Sequence, residues 1–256
     1  MQLNFFYNTS VQEHIRAPKT DIIYTIQGLD GTCCIAVQSG MKYGIQSRKL
    51  LKVCPYAQQS ERHGVYFVDN HYKEYNHQMH LDVVMRFKPK YATTRDMIEE
   101  RECVKLGIQY YDADQILSWA DELAEHCEHV IIIPKSPGYI RLIPDRFIIG
   151  YSIPTRYGGS HFPIELITNH RIHLLGGSWK KQLYYLHKMR EQICSVDNNY
   201  IHHQARHGCF INPEGESFQL NAVGLGYLDN PRISALSLSF GAISRKIREL
   251  ETGWAT

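Results

Sequence analysis

The sequence predicts an α/β fold, specifically a (β/α)8 barrel of the TIM type in a single domain. Short apolar segments recur without polar alternation, which is typical of strands covered on both faces. They alternate with amphipathic stretches, as in a parallel sheet wrapped by helices. The chain has 256 residues, a length that one such barrel commonly occupies. We therefore assign residues 1–256 to one domain.

Seven segments have the composition of buried strands. An eighth is expected in the irregular stretch after residue 210. Cys33 and Cys34 fall in the first segment, where we expect them to be buried. The predicted strands are 32–38 (TCCIAVQ), 64–70 (GVYFVDN), 90–96 (KYATTRD), 129–135 (HVIIIPK), 146–152 (RFIIGYS), 171–177 (RIHLLGG) and 192–198 (QICSVDN).

Three stretches are predicted to be helical. The clearest covers 112–127 (DADQILSWADELAEHC), where Asp112 or Asp114 can cap the start and apolar residues recur on one face. A second follows the GGS at 176–178, with Leu183 and Leu186 directed inward. The third is 239–250 (SFGAISRKIREL).

Composition argues against several protein classes. The longest apolar runs, such as VIIIP, are too short to cross a bilayer, and the N-terminus lacks the pattern of a signal peptide. The seven cysteines are scattered and contain no C-x-x-C pair for a zinc or redox site. We therefore expect a cytoplasmic protein (host cytoplasm for a phage protein) that does not associate with membranes and has no metal and no cofactor.

Positive charge is concentrated in one part of the chain. No acidic residue occurs between Glu165 and Glu191, whereas Arg171, Lys180 and Lys181 lie there with two further basic residues. This stretch is a candidate surface for binding phosphates. A solvated helix face explains the same pattern equally well.

Polar residues at the predicted strand ends give the main functional signal. Asp69, Asp96 and Asp197 each end a strand, and in a barrel the carboxyl ends of strands meet at one mouth. Each aspartate alone has a structural interpretation as a cap or turn residue. Together they would repel one another in one pocket, which favours a functional role.

Residues 195–208 (SVDNNYIHHQARHG) resemble a motif of the tRNA-guanine transglycosylase superfamily. These barrel enzymes exchange a guanine in nucleic acid for a 7-deazaguanine base. Arg206 and Gly208 follow Asp197 at nine and eleven positions, as in the family's nucleophile motif. The strings FVDN, TTRD, IIGYS and HLLGG match earlier family motifs in order, so the resemblance spans about residues 64–220.

The resemblance implies a role for each matched residue. Asp197 corresponds to the nucleophile, Asp69 to the general base, and Asp96 to the carboxylate that holds the guanine edge. The other implied base contacts are Gly150, Tyr151, Leu175 and Gly176, with Tyr72 stacking on the base. Arg206, Lys180, Lys181 and Arg171 are the predicted contacts to nucleic-acid phosphates.

The chain departs from the tRNA enzymes in two respects. Asp69 is followed by Asn70, His71 and Tyr72 in place of a glycine pair. The family's zinc subdomain, with three cysteines and one histidine, is lacking, because Cys209 is the only cysteine beyond residue 194. The resemblance is therefore nearest to the DpdA-like proteins, which place preQ0-like 7-deazaguanines in DNA. This implies DNA as the partner, with tRNA as the alternative, and a further protein that opens the DNA.

Two other classes remain open from the sequence. His203 and His207 are four positions apart beside His202, and His71 and His173 lie near strand ends, which would suit a metal-dependent barrel hydrolase. A non-catalytic nucleic-acid-binding protein would need the basic residues but not the aspartates.

Overall fold

The computed structural model describes residues 20–25, 32–50, 64–156, 158–221 and 230–252. Eight parallel strands form a closed barrel in chain order, and β1 pairs with β8 to close it. This confirms the predicted (β/α)8 barrel. The strands are β1 (Asp21–Thr25), β2 (Lys42–Gln46), β3 (Phe67–Asp69), β4 (Tyr91–Thr93), β5 (His129–Ile132), β6 (Ile148–Ser152), β7 (Ile172–Leu175) and β8 (Ile193–Asn198).

Seven α-helices lie in the described part of the chain, together with short 3-10 turns. None of these helices has the length and apolar character needed to cross a membrane. They are α1 (Thr32–Gln38), α2 (His77–Phe87), α3 (Glu100–Leu106), α4 (Ala113–Ala124), α5 (Trp179–Lys188), α6 (Tyr200–Arg206) and α7 (Pro231–Thr252).

Two strand predictions are wrong. The segment 32–38 is helix α1, because a short apolar run without alternation does not distinguish a buried strand from a buried helix. Among the described residues after 210 there is no barrel strand; Cys209–Ile211 and Ser217–Gln219 form an antiparallel hairpin, β9 and β10, outside the barrel. The two unpredicted barrel strands are β1 and β2.

The other predicted elements occur where expected, with shorter or longer bounds. Asp112, rather than Asp114, caps α4 by accepting a hydrogen bond from the Gln115 amide at 2.8 Å. Ser178 caps α5 in the same way. Because β1 and β2 precede them, the strands that end near Asp69, Asp96 and Asp197 are the third, fourth and eighth of the barrel.

The core has two layers. Inside the barrel, residues such as Ile23, Phe67 and Ile131 form a small apolar cluster. A larger cluster lies between the sheet and the helices. Gly150 on β6 belongs to the inner layer, because a Cβ there would lie 2.7 Å from the Ile133 side chain and 2.8 Å from that of Leu175. The close packing of the barrel interior thus requires glycine at this position.

We predict that Gly150→Ala destabilises the protein, whereas Gly138→Ala does not. The added methyl group at residue 150 overpacks the barrel interior, which typically costs about 1–3 kcal/mol. A Cβ at Gly138 meets nothing within 4 Å. Urea unfolding of both variants measures the difference, and equal free energies of unfolding would contradict the packing role of Gly150.

Candidate functional site

A cavity of about 640 Å³ opens at the carboxyl ends of the barrel strands. Asp69 and Asp96 line it, as do Tyr72, Leu175 and Gly176 from the predicted site. Its wall also includes Lys135, which the sequence analysis did not assign a role. The mouth of the barrel therefore combines acidic side chains, one strand-end lysine and exposed backbone in a single concave site, which is the usual form of a ligand pocket.

Asp69 ends β3 and is partly buried. Its carboxylate accepts a hydrogen bond from the Thr93 hydroxyl at 3.2 Å and another from the Gln46 side chain. Burial, together with the charges of Asp197 and Asp96, raises the pKa of Asp69 to about 7. A carboxyl group with this pKa can both donate and accept a proton near neutral pH.

Asp96 is buried beyond the end of β4 and forms an ion pair across the cavity wall. Its Oδ2 lies 3.1 Å from the Lys135 ammonium, and its Oδ1 lies 3.4 Å from the Asn70 side-chain amide. The same amide also donates to the Thr93 hydroxyl and to the Thr94 carbonyl. Asn70 thereby connects the polar ends of β3 and β4, and the cavity presents a carboxylate acceptor beside an ammonium donor.

Asp197 lies in β8 and is fixed by two donors. The Thr25 hydroxyl donates to its Oδ2 at 2.7 Å, and the Gly176 amide donates to its Oδ1 at 3.0 Å. The Asp197 side chain is 12% exposed and adjoins the cavity at Gly176, which lines it. Its charge acts on Asp69, so the two carboxylates form one electrostatic unit.

Gln182 holds the strand ends around Asp197 together. From α5 its amide group donates to the backbone carbonyls of Asp197 at 2.6 Å and of Gly176 at 2.9 Å. Its side-chain oxygen accepts a hydrogen bond from Asn198 at 2.9 Å. Gln182 was not predicted from the sequence, although a glutamine beside the apolar Leu183 on the inward face of a helix is a detectable signal.

Two of the predicted base contacts lie away from the cavity. The Gly150 backbone is packed among barrel-interior side chains, as described above. Tyr151 is 2% exposed and points outward from the sheet, where its hydroxyl donates to the Phe162 carbonyl at 3.2 Å and its ring contacts Tyr185. Neither residue lines the cavity, because successive residues of β6 alternate between the interior and the outer layer.

The predicted phosphate contacts do not form one group. Arg171 precedes β7 and therefore lies at the amino end of the barrel, opposite the mouth. Lys180 and Lys181 are exposed in the first turn of α5, and the Lys181 ammonium donates to the Pro154 carbonyl at 2.5 Å. Arg206 is exposed at the end of α6. Of these cations, the two lysines of α5 are placed on the mouth side, because α5 starts just beyond the end of β7.

The histidines near residue 202 do not converge. His202 is buried between the Tyr24 hydroxyl at 2.8 Å and the Arg232 guanidinium at 3.0 Å, where it connects the barrel to α7. His203 and His207 are exposed. Within the residues that the structure describes, no group of three or more His, Cys, Asp or Glu side chains is arranged to hold a metal ion.

Solved structures with the same fold include two sugar-phosphate enzymes. 3-Hexulose-6-phosphate synthase from Salmonella typhimurium superposes with a TM-score of 0.50 at 12% identity, covering 90% of this chain and 98% of that one. A putative fructose-1,6-bisphosphate aldolase from Coccidioides immitis gives a TM-score of 0.50 at 7% identity, covering 91% and 90% of the two chains. Likeness at this identity establishes the barrel fold alone.

No curated protein sequence matches the chain. Residues 36–229 match the sequence pattern of DUF6610, a family of unknown function. The matched range includes β2 to β8 and every cavity residue named above. Because the match extends over well more than half of the chain, the protein belongs to the DUF6610 family.

Proposed function

We propose that the protein is a base-exchange transglycosylase that replaces guanine in DNA with a 7-deazaguanine (preQ0-like) base. The observation that carries this proposal is the pair Asp197 and Asp69. One carboxylate is fixed by two donors, and its neighbour has a pKa of about 7. Carboxyl groups in contrasting environments are the usual arrangement for glycosidic-bond chemistry, where one attacks the sugar and the other transfers a proton.

The proposed reaction uses these two groups in sequence. An oxygen of Asp197 attacks the anomeric carbon of the sugar, and the bond between that carbon and guanine breaks as a covalent aspartyl-sugar ester forms. Asp69 gives its proton to the departing base. The incoming 7-deazaguanine then loses a proton to Asp69 and displaces Asp197, which regenerates both carboxyl groups in their starting states.

Asp96 and Lys135 account for base selection in this proposal. A guanine-type ring offers two neighbouring N–H donors and one carbonyl acceptor on its pairing edge. The Asp96 carboxylate accepts from the donors, and the Lys135 ammonium, 3.1 Å from it, donates to the carbonyl. An adenine edge has the opposite arrangement at both positions, so the pair disfavours it.

The target base has to leave its stack to enter the cavity. Bases inside a duplex do not reach a recessed pocket, so the DNA is single-stranded, flipped or opened by a partner protein. Lys180 and Lys181 are the cations we assign to the DNA backbone, since they lie on the mouth side of the barrel. The location of Arg171 at the opposite end makes it unsuitable for the same bound strand. Transfer RNA is the alternative polymer.

We predict that Asp197→Asn abolishes the covalent adduct with a guanine-containing single-stranded oligonucleotide. Loss of the nucleophile should lower the rate of exchange with radiolabelled guanine by roughly 10³-fold or more. The matched control is Asp121→Asn, which changes an exposed carboxylate paired with Arg146. Denaturing gel analysis detects the adduct, and exchange by Asp197→Asn at the wild-type rate would exclude the proposed mechanism.

We predict that Asp69→Asn removes a kinetic pKa near 7 from the pH profile of base exchange. The folded protein holds the Asp69 proton more tightly than the unfolded chain does, so this proton's contribution to stability is complete at low pH and is lost as the pH rises through about 7. The variant should therefore lose less stability than wild type between about pH 5 and pH 8. If the free energy of unfolding changed by the same amount in the two proteins across this pH range, the raised pKa of Asp69 would be refuted.

We predict that Asp96→Asn weakens discrimination between guanine and adenine analogues by roughly 10- to 100-fold, as expected when a paired contact to a base edge is lost. The measurement is competitive exchange with the two labelled bases. Asparagine keeps the size of the side chain while the carboxylate partner of Lys135 is removed. Unchanged discrimination, with a normal exchange rate, would show that Asp96 does not read the base.

A further inference from the structure

His173 lies in the barrel interior beside the proposed nucleophile. It is 0% exposed and stacks on the Phe67 ring, with ring centroids 5.2 Å apart and 28° between the planes. Its Nδ1 lies 2.8 Å from the Ser195 hydroxyl. Its Nε2 has no hydrogen-bond partner within the described residues and lies 3.6 Å from Oδ1 of Asp197. The ring is thus fixed by packing, and one nitrogen faces the carboxylate.

The contacts of the two ring nitrogens determine where the proton resides. An imidazole carries a proton on at least one nitrogen, and the partner of each nitrogen decides which. The Ser195 hydroxyl can donate or accept with equal ease. A lone pair on Nε2 would face a carboxylate oxygen and repel it, whereas a proton on Nε2 is attracted. The geometry therefore favours Ser195 as donor to Nδ1 and a proton on Nε2.

We propose that His173 is a positioning residue that directs its Nε2 proton at Oδ1 of Asp197 and leaves Oδ2 as the attacking atom. This inference rests on the proposed transglycosylase. A carboxylate oxygen has two lone pairs for donors. The Gly176 amide occupies one site on Oδ1 and His173 Nε2, 3.6 Å away, faces the other, while Oδ2 has the Thr25 hydroxyl alone among the donors described. One lone pair of Oδ2 is free to bond to the sugar.

The same donors act on the covalent intermediate. When Oδ2 of Asp197 bonds to the anomeric carbon, Oδ1 becomes the carbonyl oxygen of the ester and stays between the Gly176 amide and His173. Donors to that oxygen draw electrons from the ester and ease departure of the carboxylate when the second base attacks. The 3.6 Å separation is longer than a hydrogen bond, so a shift of a few tenths of an ångström completes the contact.

The proton position can be measured without any reaction. Nitrogen NMR of uniformly labelled protein distinguishes protonated from unprotonated imidazole nitrogens, and the spectrum of His173→Phe identifies the His173 signals among those of the 14 histidines. We expect a protonated Nε2 that persists in Ser195→Ala and whose signal changes in Asp197→Ala. A lone pair on Nε2 in wild type, or a signal that Asp197→Ala leaves unchanged, would overturn the inference.

Adduct formation gives the second readout. With the single-stranded oligonucleotide, His173→Phe keeps the ring shape against Phe67 but has no donor, and we expect adduct formation at least tenfold slower than in wild type. His173→Gln retains an N–H and should recover part of the rate. Thermal unfolding confirms that both variants fold. A wild-type rate in His173→Phe would overturn the positioning role.

The two readouts separate the failures of the two proposals. Wild-type protein that forms no adduct, yet carries the proton on Nε2, would refute the transglycosylase and with it the assignment of Oδ2 as the attacking atom. An adduct that depends on Asp197 but not on His173 would refute the inference and support the proposed function.

Discussion

Closure of the barrel between its first and last strands is the constraint on which the candidate site depends. The register of β1 against β8 aligns Ile23 with Asp197 and Tyr24 with Asn198. This alignment brings the Thr25 hydroxyl to one oxygen of Asp197, while the neighbouring β7 brings the Gly176 amide to the other. Residues separated by 172 positions in the chain thus meet at one carboxylate. An open sheet with the same strands would leave β8 at an edge and Asp197 without its hydroxyl partner.

The three carboxyl groups are tolerated at one mouth because each has a different environment. Asp96 has a lysine and an amide, and Asp197 has a hydroxyl and a backbone amide. Asp69 accepts hydrogen bonds from the neutral side chains of Thr93 and Gln46, and the effect of crowding falls on its pKa. Repulsion within the group is therefore relieved by one proton near neutral pH, which gives the site a group able to exchange protons.

The sequence predicted correctly the parts of this site that follow from where strands end. It failed where the position of a residue depends on strand pleating or on the tertiary structure. The aspartates could be placed at one mouth because β3, β4 and β8 are apolar runs that end in polar residues. Gly150 and Tyr151 were predicted to contact the base but do not line the cavity. The pleat of β6 directs Gly150 to the barrel interior and Tyr151 to the outer layer. Residues 32–38 form helix α1, although their composition is typical of a strand.

Long-range partners were beyond the reach of sequence reasoning for a different reason. The positions of Thr25 and His173 beside Asp197 depend on the register of β1 and β7 against β8, which no local pattern encodes. Lys135 was visible at a strand end, but its pairing with Asp96 depends on the neighbouring strand. The residues that could be predicted from the sequence were therefore those whose role follows from the helix or strand that contains them.

Gln182 is hydrogen-bonded to the main chain of the site and to the Asn198 side chain, which has no proposed role in the reaction. Its amide group binds the carbonyls of residues 176 and 197, which every amino acid possesses. These two hydrogen bonds therefore do not depend on which side chains residues 176 and 197 carry. The side chains that react could therefore be exchanged by mutation while Gln182 continues to hold the two strand ends together.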